Sequence, residues 1–211
     1  MPFHDNYSAL DPGRRAPVGA WAVYNAAQPG RGVRALCREV MALAGPGAGR
    51  QAIDLGCGAG VESAALLAAG WRVHAVDGDP ATPSLVRATA GGEGGDALSV
   101  PVVPFADLVL PPADLLYAGY SLPYASPDDF PRVWAEIRRA LRPGAWLAVN
   151  LFGVHDSFAG TIDGTFLTRP EAEALFDGLD VVEVREEDED GESFSGPKHW
   201  HVFDVLARVP R

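Results

Sequence analysis

One run constrains the fold of this chain more than any other: Ala52-Ile-Asp-Leu-Gly-Cys-Gly-Ala-Gly60. A short apolar strand carries Asp54 near its end, breaks into glycines at 56, 58 and 60, and re-forms as a helix rich in alanine and leucine. Three glycines at alternate positions cost chain entropy, so they mark a place where a bare backbone is needed. A strand, a glycine turn and a helix in succession leave unsatisfied N–H groups and the positive end of a helix dipole beside whatever occupies the turn. The stretch is suited to a nucleotide or a nucleoside.

The spacing narrows the choice. A dinucleotide loop places its third glycine five positions after the first, and here that position is Val61. A P-loop ends in Gly-Lys-Ser/Thr, which is absent. Asp54 stands two residues before the turn, where a carboxylate would repel a pyrophosphate; an acid there suits a ligand with an ammonium and a sulfonium.

From residue 51 the pattern alternates strand and helix. Strand 52–55 leads to helix 61–69, strand 71–76 to a weak helix over 82–90, and a glycine loop at 91–95 to strand 100–103. A fourth strand, 113–117, opens into Ala118-Gly-Tyr-Ser-Leu-Pro-Tyr124. Ser126-Pro-Asp-Asp then caps a helix with Phe130, Val133, Trp134, Ile137 and Leu141 at helical spacing. Strand 146–152, a helix over 169–176 and a hairpin of strands 180–187 and 199–208 complete the chain. The acidic run 186–192 reads as a solvated turn without chemistry. Such alternation predicts a parallel sheet with helices on both faces, and ligands bound beyond the carboxyl ends of its strands. Ahead of it, residues 1–47 form a proline-broken, aromatic lead-in. It has a short helix near 18–27 and an amphipathic one carrying Val33, Leu36, Cys37, Val40 and Met41. Tyr7, Trp21 and Tyr24 of this lead-in either cover the pocket or pack beside it.

At 211 residues the whole chain, 1–211, is expected to be one domain with a large core. A formal charge of -11 argues against a nucleic-acid partner, which needs a basic face. The six arginines within residues 1–50 either touch an anionic substrate or form a solvated helix face. No apolar window spans a membrane, the start has neither the basic flank nor the apolar run of a signal peptide, and only Cys37 and Cys57 are present. These features lead to the expectation of a cytoplasmic, reduced protein. They leave the oligomeric state open.

Asp54-Leu-Gly-Cys-Gly-Ala-Gly60 resembles the first motif of class I S-adenosylmethionine-dependent methyltransferases, Asp/Glu-x-Gly-x-Gly-x-Gly. Val73-His-Ala-Val-Asp77 resembles their second motif, and Leu141-Arg-Pro-Gly144 their Leu-x-Pro-Gly-Gly, with Ala145 in place of the last glycine. Shorter runs at 70–73, 120–124, 151–153 and 198–203 are similar to small bacterial methyltransferases grouped with tellurite-resistance enzymes. The resemblance implies a doubly wound, Rossmann-like α/β fold of seven mostly parallel strands. It implies the order 3-2-1-4-5-7-6 and a C-terminal antiparallel hairpin. It further implies S-adenosylmethionine as cofactor, held by Asp54, Gly56, Cys57, Gly58 and Gly60 of the turn and by Asp77, Gly78 and Asp79 at the ribose. Asp107 would lie at the adenine, and Ala118 and Gly119 near the ammonium and methyl group.

Three segments should meet at the acceptor rim: 120–124, 152–156 and the start of the last strand, 198–201. Tyr120, His155, His199 and His201 are therefore the candidate catalytic residues. Each histidine is open to three readings: a backbone-bonded strand end, a general base, or a ligand in a metal site shared with Asp156. No metal is expected. Along the strand His199 and His201 share one face and Trp200 takes the other. The reading is methyl transfer to a small molecule. The alternatives are an enzyme that cyclises or cleaves S-adenosylmethionine without methylating, or a non-catalytic protein that binds it. Asp54 counts against a nicotinamide-dependent reductase.

Overall fold

The glycine run folds as strand, turn and helix. In the computed structural model, which describes residues 21–28, 30–92, 94–194 and 196–211, β1 (Gln51–Leu55) enters the turn. Two helices precede it, α1 (Ala22–Ala26) and α2 (Ala35–Ala44). After the turn come α3 (Val61–Ala68), β2 (Arg72–Val76), α4 (Thr82–Thr89), β3 (Leu98–Ser99) and β4 (Ala113–Ala118). The chain continues through α5 (Phe130–Ala140), β5 (Leu141–Gly153), β6 (Phe166–Leu167), α6 (Arg169–Ala174), β7 (Asp180–Ser193) and β8 (Gly196–Arg208).

The strands lie in the order β3-β2-β1-β4-β5-β8-β7, with the two-residue β6 beside β5. The expected seven-strand path is this one with β6 left out; β6 makes an eighth strand. Strands β1 to β5 pair in parallel, and β8 runs antiparallel to both β5 and β7. Alternation along the central strands then sets two cores. Ile53, Leu116, Leu147 and Val149 pack against Val133, Trp134 and Ile137 of α5. Ala52, Leu115, Tyr117 and Ala148 face the other way, onto Leu36, Cys37 and Val40 of α2 and Leu66 of α3. Burial on both faces is what turns β1 and β4 into nearly continuous apolar runs.

Three local expectations change. The third strand was expected at 100–103 and lies at Leu98–Ser99, because Pro101 has no N–H for the ladder; only a single bridge, Asp77 to Val102, continues the pairing. The helix expected near 18–27 begins at Ala22, and residues 18–20 lie outside the described ones, as does Tyr7. The acidic run is not a turn. Glu186 to Glu192 lies inside β7, paired residue by residue with β8, and the hairpin turns only after Ser193. Like charges at every position would splay an isolated strand. Here Asp188 and Asp190 lie directly opposite His201 and His199, and Glu186 accepts from His201 at 3.0 Å.

A bidentate ion pair ties the lead-in to α3. Arg31 donates through both guanidinium nitrogens to both carboxylate oxygens of Glu62 at 2.6 Å, and Glu62 also accepts from the backbone N–H of Arg34 at 3.1 Å. Burial pushes the Glu62 carboxyl up, but the bonds and charge of Arg31 outweigh it and hold the group below its ordinary value. Gly47 lies against the backbone of Gly70 and Trp71, just before β2. A Cβ there would sit 2.3 Å from Trp71 N and 2.4 Å from Gly70 C. Backbone cannot swing aside as a flexible side chain can. We therefore expect Gly47→Ala to cost about 1–3 kcal/mol and to lower the melting temperature by about 2–10 °C. Thermal unfolding followed by circular dichroism checks this, and an unchanged midpoint would contradict the close packing.

Candidate active site

At the carboxyl edge of the sheet lies a cavity of about 870 Å³, within the range of a small-molecule site. One half of it is the glycine turn. Gly56, Gly58 and Gly60 all have positive φ, at 74°, 51° and 78°. At Gly56 a Cβ would lie 2.1 Å from Ser121 Cβ, and at Gly60 2.9 Å from Val86 Cα, so these two admit no side chain. Gly56, Cys57, Gly58 and Ala59 line the cavity, while Gly60 is buried behind it as the N-cap of α3.

Asp77, at the end of β2, holds this turn in place. Its carboxylate accepts from the N–H of Gly58 at 2.9 Å and from the N–H of Asp79 at 2.9 Å, one on each oxygen. Burial raises its pKa, and the bonds from Asp79 and Gly58 oppose that rise. Each oxygen keeps lone-pair capacity for a further donor. Gly78 and Asp79 continue the wall; Asp79 accepts from Ala81 N at 2.9 Å and from Asn25 Nδ2 at 3.4 Å.

Asp54 lies beneath the turn, 2% exposed, accepting from Ser63 Oγ at 2.6 Å. Burial, with Glu62 nearby, pushes its carboxyl up to about 7. A cationic group beside it would restore its charge. Cys57 is buried, and burial pushes its thiol well above the ordinary value, which suits a packed side chain rather than a nucleophile.

Besides Gly60, two more of the expected cofactor residues stand outside the cavity. Asp107 closes a 3-10 turn, Phe105–Asp107, that rotates it into solvent; Val103, Pro104 and Phe105 line the wall instead. Ala118 is buried in the last position of β4, while its neighbours Tyr117 and Gly119 reach the cavity.

The other half is aromatic. Tyr120 follows β4 with φ 55°, a conformation costing a non-glycine residue about 1–3 kcal/mol, and its N–H donates to Asn150 Oδ1 at 3.2 Å. Asn150 in turn donates to Asp204 Oδ1. Ser121 Oγ donates to Leu55 O at 2.6 Å and ties the end of β4 to that of β1. Trp21, Tyr24, Tyr124, Phe158, Phe194 and Trp200 complete the aromatic lining, with Glu187 and Glu192 of β7 at its rim. Trp21 meets Tyr124 edge-on at 4.4 Å, and Tyr120 meets Trp200 at 5.9 Å.

Of the four candidate catalytic residues, only Tyr120 lines the cavity. Strand alternation separates His199 and His201 from Trp200 as expected, but the cavity lies on the side of Trp200. The histidines face a carboxylate ladder instead. His199 pairs with Asp188 and Asp190 at 2.8 Å each, His155 Nδ1 with Asp188 at 3.0 Å, and His201 Nε2 with Glu186 at 3.0 Å. The bonds from Asp188 and Asp190 raise the pKa of His199. His155, Asp188 and His201 each offer one ligand atom within 4.8 Å of the others. His201 argues against a metal there. Its Nδ1 accepts from the backbone N–H of His155 at 3.0 Å, so a metal on Nε2 would need a ring stripped of both protons. The group is built as a hydrogen-bonded ladder. Asp156, the fourth member of the imagined site, is buried in a pair with Lys198.

The sheet order, the glycine turn after β1 and the half-buried acid just past β2 define a nucleoside-binding, Rossmann-like α/β domain. Residues 52–144 match the family model described as a methyltransferase domain. Among solved structures, TehB from Haemophilus influenzae aligns with a TM-score of 0.70 at 14% identity, over 90% of this chain and 66% of that one. The putative methyltransferase of Haloferax volcanii, solved with the Trm112 activator, aligns at 0.69 with 23% identity, over 94% and 100%. A Burkholderia thailandensis 1,6-didemethyltoxoflavin N1-methyltransferase, solved with S-adenosylhomocysteine, aligns at 0.63 with 22% identity, over 84% and 78%. No curated protein matches the sequence. Residues 52–144 thus carry the pattern of a methyltransferase domain, and the chain as a whole has the fold of S-adenosylmethionine-dependent methyltransferases.

The site fits that cofactor. Asp77 has acceptor capacity for ribose hydroxyls, and the bare turn admits the methionine part. Tyr117 Oη is buried at the cavity wall without a hydrogen-bond partner among the described residues. Arg34 lines the same wall, donating to Tyr24 Oη at 2.9 Å and lying over the Tyr120 ring at 4.6 Å. If the Tyr117 hydroxyl is kept for the ligand, Tyr117→Phe removes an unsatisfied group from the free protein. Its melting temperature should hold or rise, while S-adenosylhomocysteine binding weakens by about 0.5–1.5 kcal/mol. Calorimetry with thermal unfolding separates this from a purely structural hydroxyl, whose loss would leave affinity unchanged.

Proposed function

We propose that the chain transfers a methyl group from S-adenosylmethionine to a small molecule in the cytoplasm. The observation that carries this is the continuity of one cavity from the glycine turn to the aromatic half. A donor seated on the turn and an acceptor between the rings would share one enclosed space, and alignment is most of what such a displacement requires. The bound cofactor supplies an already activated methyl group. The chain's own residues bind, orient and exclude water. Asp77 takes the ribose, Arg34 and Tyr117 the methionine end, and Asp54 sits beneath the positive charge. The strained backbone of Tyr120 aims its ring at the junction of the two halves.

Several features support a small acceptor. The acceptor half is walled by side chains from four separate segments, and the net charge of -11 gives a polyanion little to grip. The lead-in, 1–47, is proposed as a cover over the site, since Trp21, Tyr24, Asn25, Gln28, Arg31 and Arg34 all line the cavity. Both cysteines are unpaired and buried, which suits a reducing compartment. No helix among the described residues is long and apolar enough to cross a membrane.

Incubation with S-adenosylmethionine and an acceptor panel, read by mass spectrometry, tests the reading. S-adenosylhomocysteine with a methylated acceptor supports it. Methylthioadenosine would indicate an enzyme that consumes the cofactor without methylating, and binding without turnover on any acceptor would indicate a non-catalytic protein. Asp77→Ala should weaken S-adenosylhomocysteine binding by about 1–3 kcal/mol, through loss of bonds to a charged acceptor. Unchanged affinity would remove Asp77 from the ribose.

A further inference from the structure

The two halves of the cavity differ in charge as well as in shape. Among the described residues, the cations that line it are Arg31 and Arg34. Arg31 is committed to Glu62 through both of its terminal nitrogens. Arg34 borders both halves: it donates to Tyr24 Oη at 2.9 Å, lies over the Tyr120 ring at 4.6 Å and is in electrostatic reach of Tyr117. In the reading above, its remaining donors take the methionine end of the cofactor. Lys198 does not line the cavity: its ammonium is buried behind Trp200, 3.9 Å from the ring, and paired with Asp156. The acceptor half therefore presents seven rings, those of Trp21, Tyr24, Tyr120, Tyr124, Phe158, Phe194 and Trp200, and two carboxylates, Glu187 and Glu192.

Among the described residues, neither carboxylate forms an ion pair with a cationic side chain. Glu187 feels Glu189 and Asp204, and only the buried Lys198 opposes them; burial is the largest influence, and it raises the pKa of Glu187. Aromatic faces attract cations through their quadrupole, and a carboxylate beside them adds charge attraction. An anionic acceptor would meet the opposite: two like charges, with Arg31 held by Glu62 and Arg34 by the methionine end of the cofactor. A neutral acceptor would leave both carboxylates unused.

We propose that the methyl acceptor is an amine on an aromatic or similarly flat apolar body, held as its ammonium between the aromatic walls and Glu187. This rests on the reading of the cavity as a site of methyl transfer. Nitrogen attacks only with its lone pair free, so the ammonium first gives one proton to Glu187 and through it to water. The N–C bond then forms as the C–S bond breaks. Its electron pair stays on sulfur, leaving S-adenosylhomocysteine and a methylated ammonium.

The test compares ligands of one frame on the intact chain saturated with S-adenosylhomocysteine, by calorimetry or tryptophan fluorescence. The probes are 2-phenylethylamine, 2-phenylethanol and 3-phenylpropionate, with tryptamine and indole-3-propionate as a larger pair. The amines should bind about tenfold more tightly than the alcohol, with the carboxylates weakest. Glu187→Gln should erase most of the amine's advantage and leave the alcohol and S-adenosylhomocysteine unaffected. A carboxylate or alcohol that binds as well as its amine would overturn the proposal, as would an advantage that survives Glu187→Gln. Failure to bind S-adenosylhomocysteine at all would instead overturn the methyl-transfer reading beneath it.

Discussion

The site depends on the carboxylate of Asp77. It closes β2, and through Gly58 N–H it fixes the turn that closes β1, so the two strand ends present one surface rather than two loose loops. A buried acid is costly unless hydrogen bonds satisfy it. The bonds from Gly58 and Asp79 do this in part, and the remaining lone pairs suit the paired hydroxyls of a ribose. The glycines follow from the same demand. A turn drawn against Ser121 on one side and Val86 on the other has no room for side chains at Gly56 and Gly60.

Around that bond the remainder of the cavity is assembled from distant parts of the chain. Arg31 and Glu62 dock the lead-in on the helix that leaves the turn, which brings Asn25 to Asp79 and Tyr24 to the mouth. Ser121 pins the end of β4 to Leu55, and Asn150 holds Tyr120 in its left-handed conformation. The long β7–β8 hairpin closes the far side with Trp200 and Phe194, where Phe194 meets Tyr24 edge-on at 5.4 Å. Cofactor half and acceptor half are thus held by different interactions, so the acceptor pocket can vary in sequence while the turn stays fixed.

The parts legible in the sequence were those governed by local rules. The glycine turn, the alternation of strand and helix and the stripe on α5 all follow from neighbouring residues, and all are found in the structure, except that Leu141 of the expected stripe begins β5. What was not legible depends on facing elements. Period two correctly set Trp200 apart from His199 and His201, but periodicity cannot say which side of a strand meets the cavity. The acidic run is solvated as read, but it is strand and not turn, because its compensating histidines come from the opposite strand. Asp107 was misplaced by a single 3-10 turn. Glu187, Glu192 and Phe194 carry no motif, and only the extended hairpin brings them to the site.

The central claim is that the turn and Asp77 select a sulfonium nucleoside over a dinucleotide. Titration calorimetry of the intact chain with S-adenosylhomocysteine, and separately with NADH, tests it most directly. The account predicts saturable one-to-one binding of S-adenosylhomocysteine and no measurable heat from NADH. Binding of NADH with equal or greater affinity, or no binding of S-adenosylhomocysteine, would contradict it.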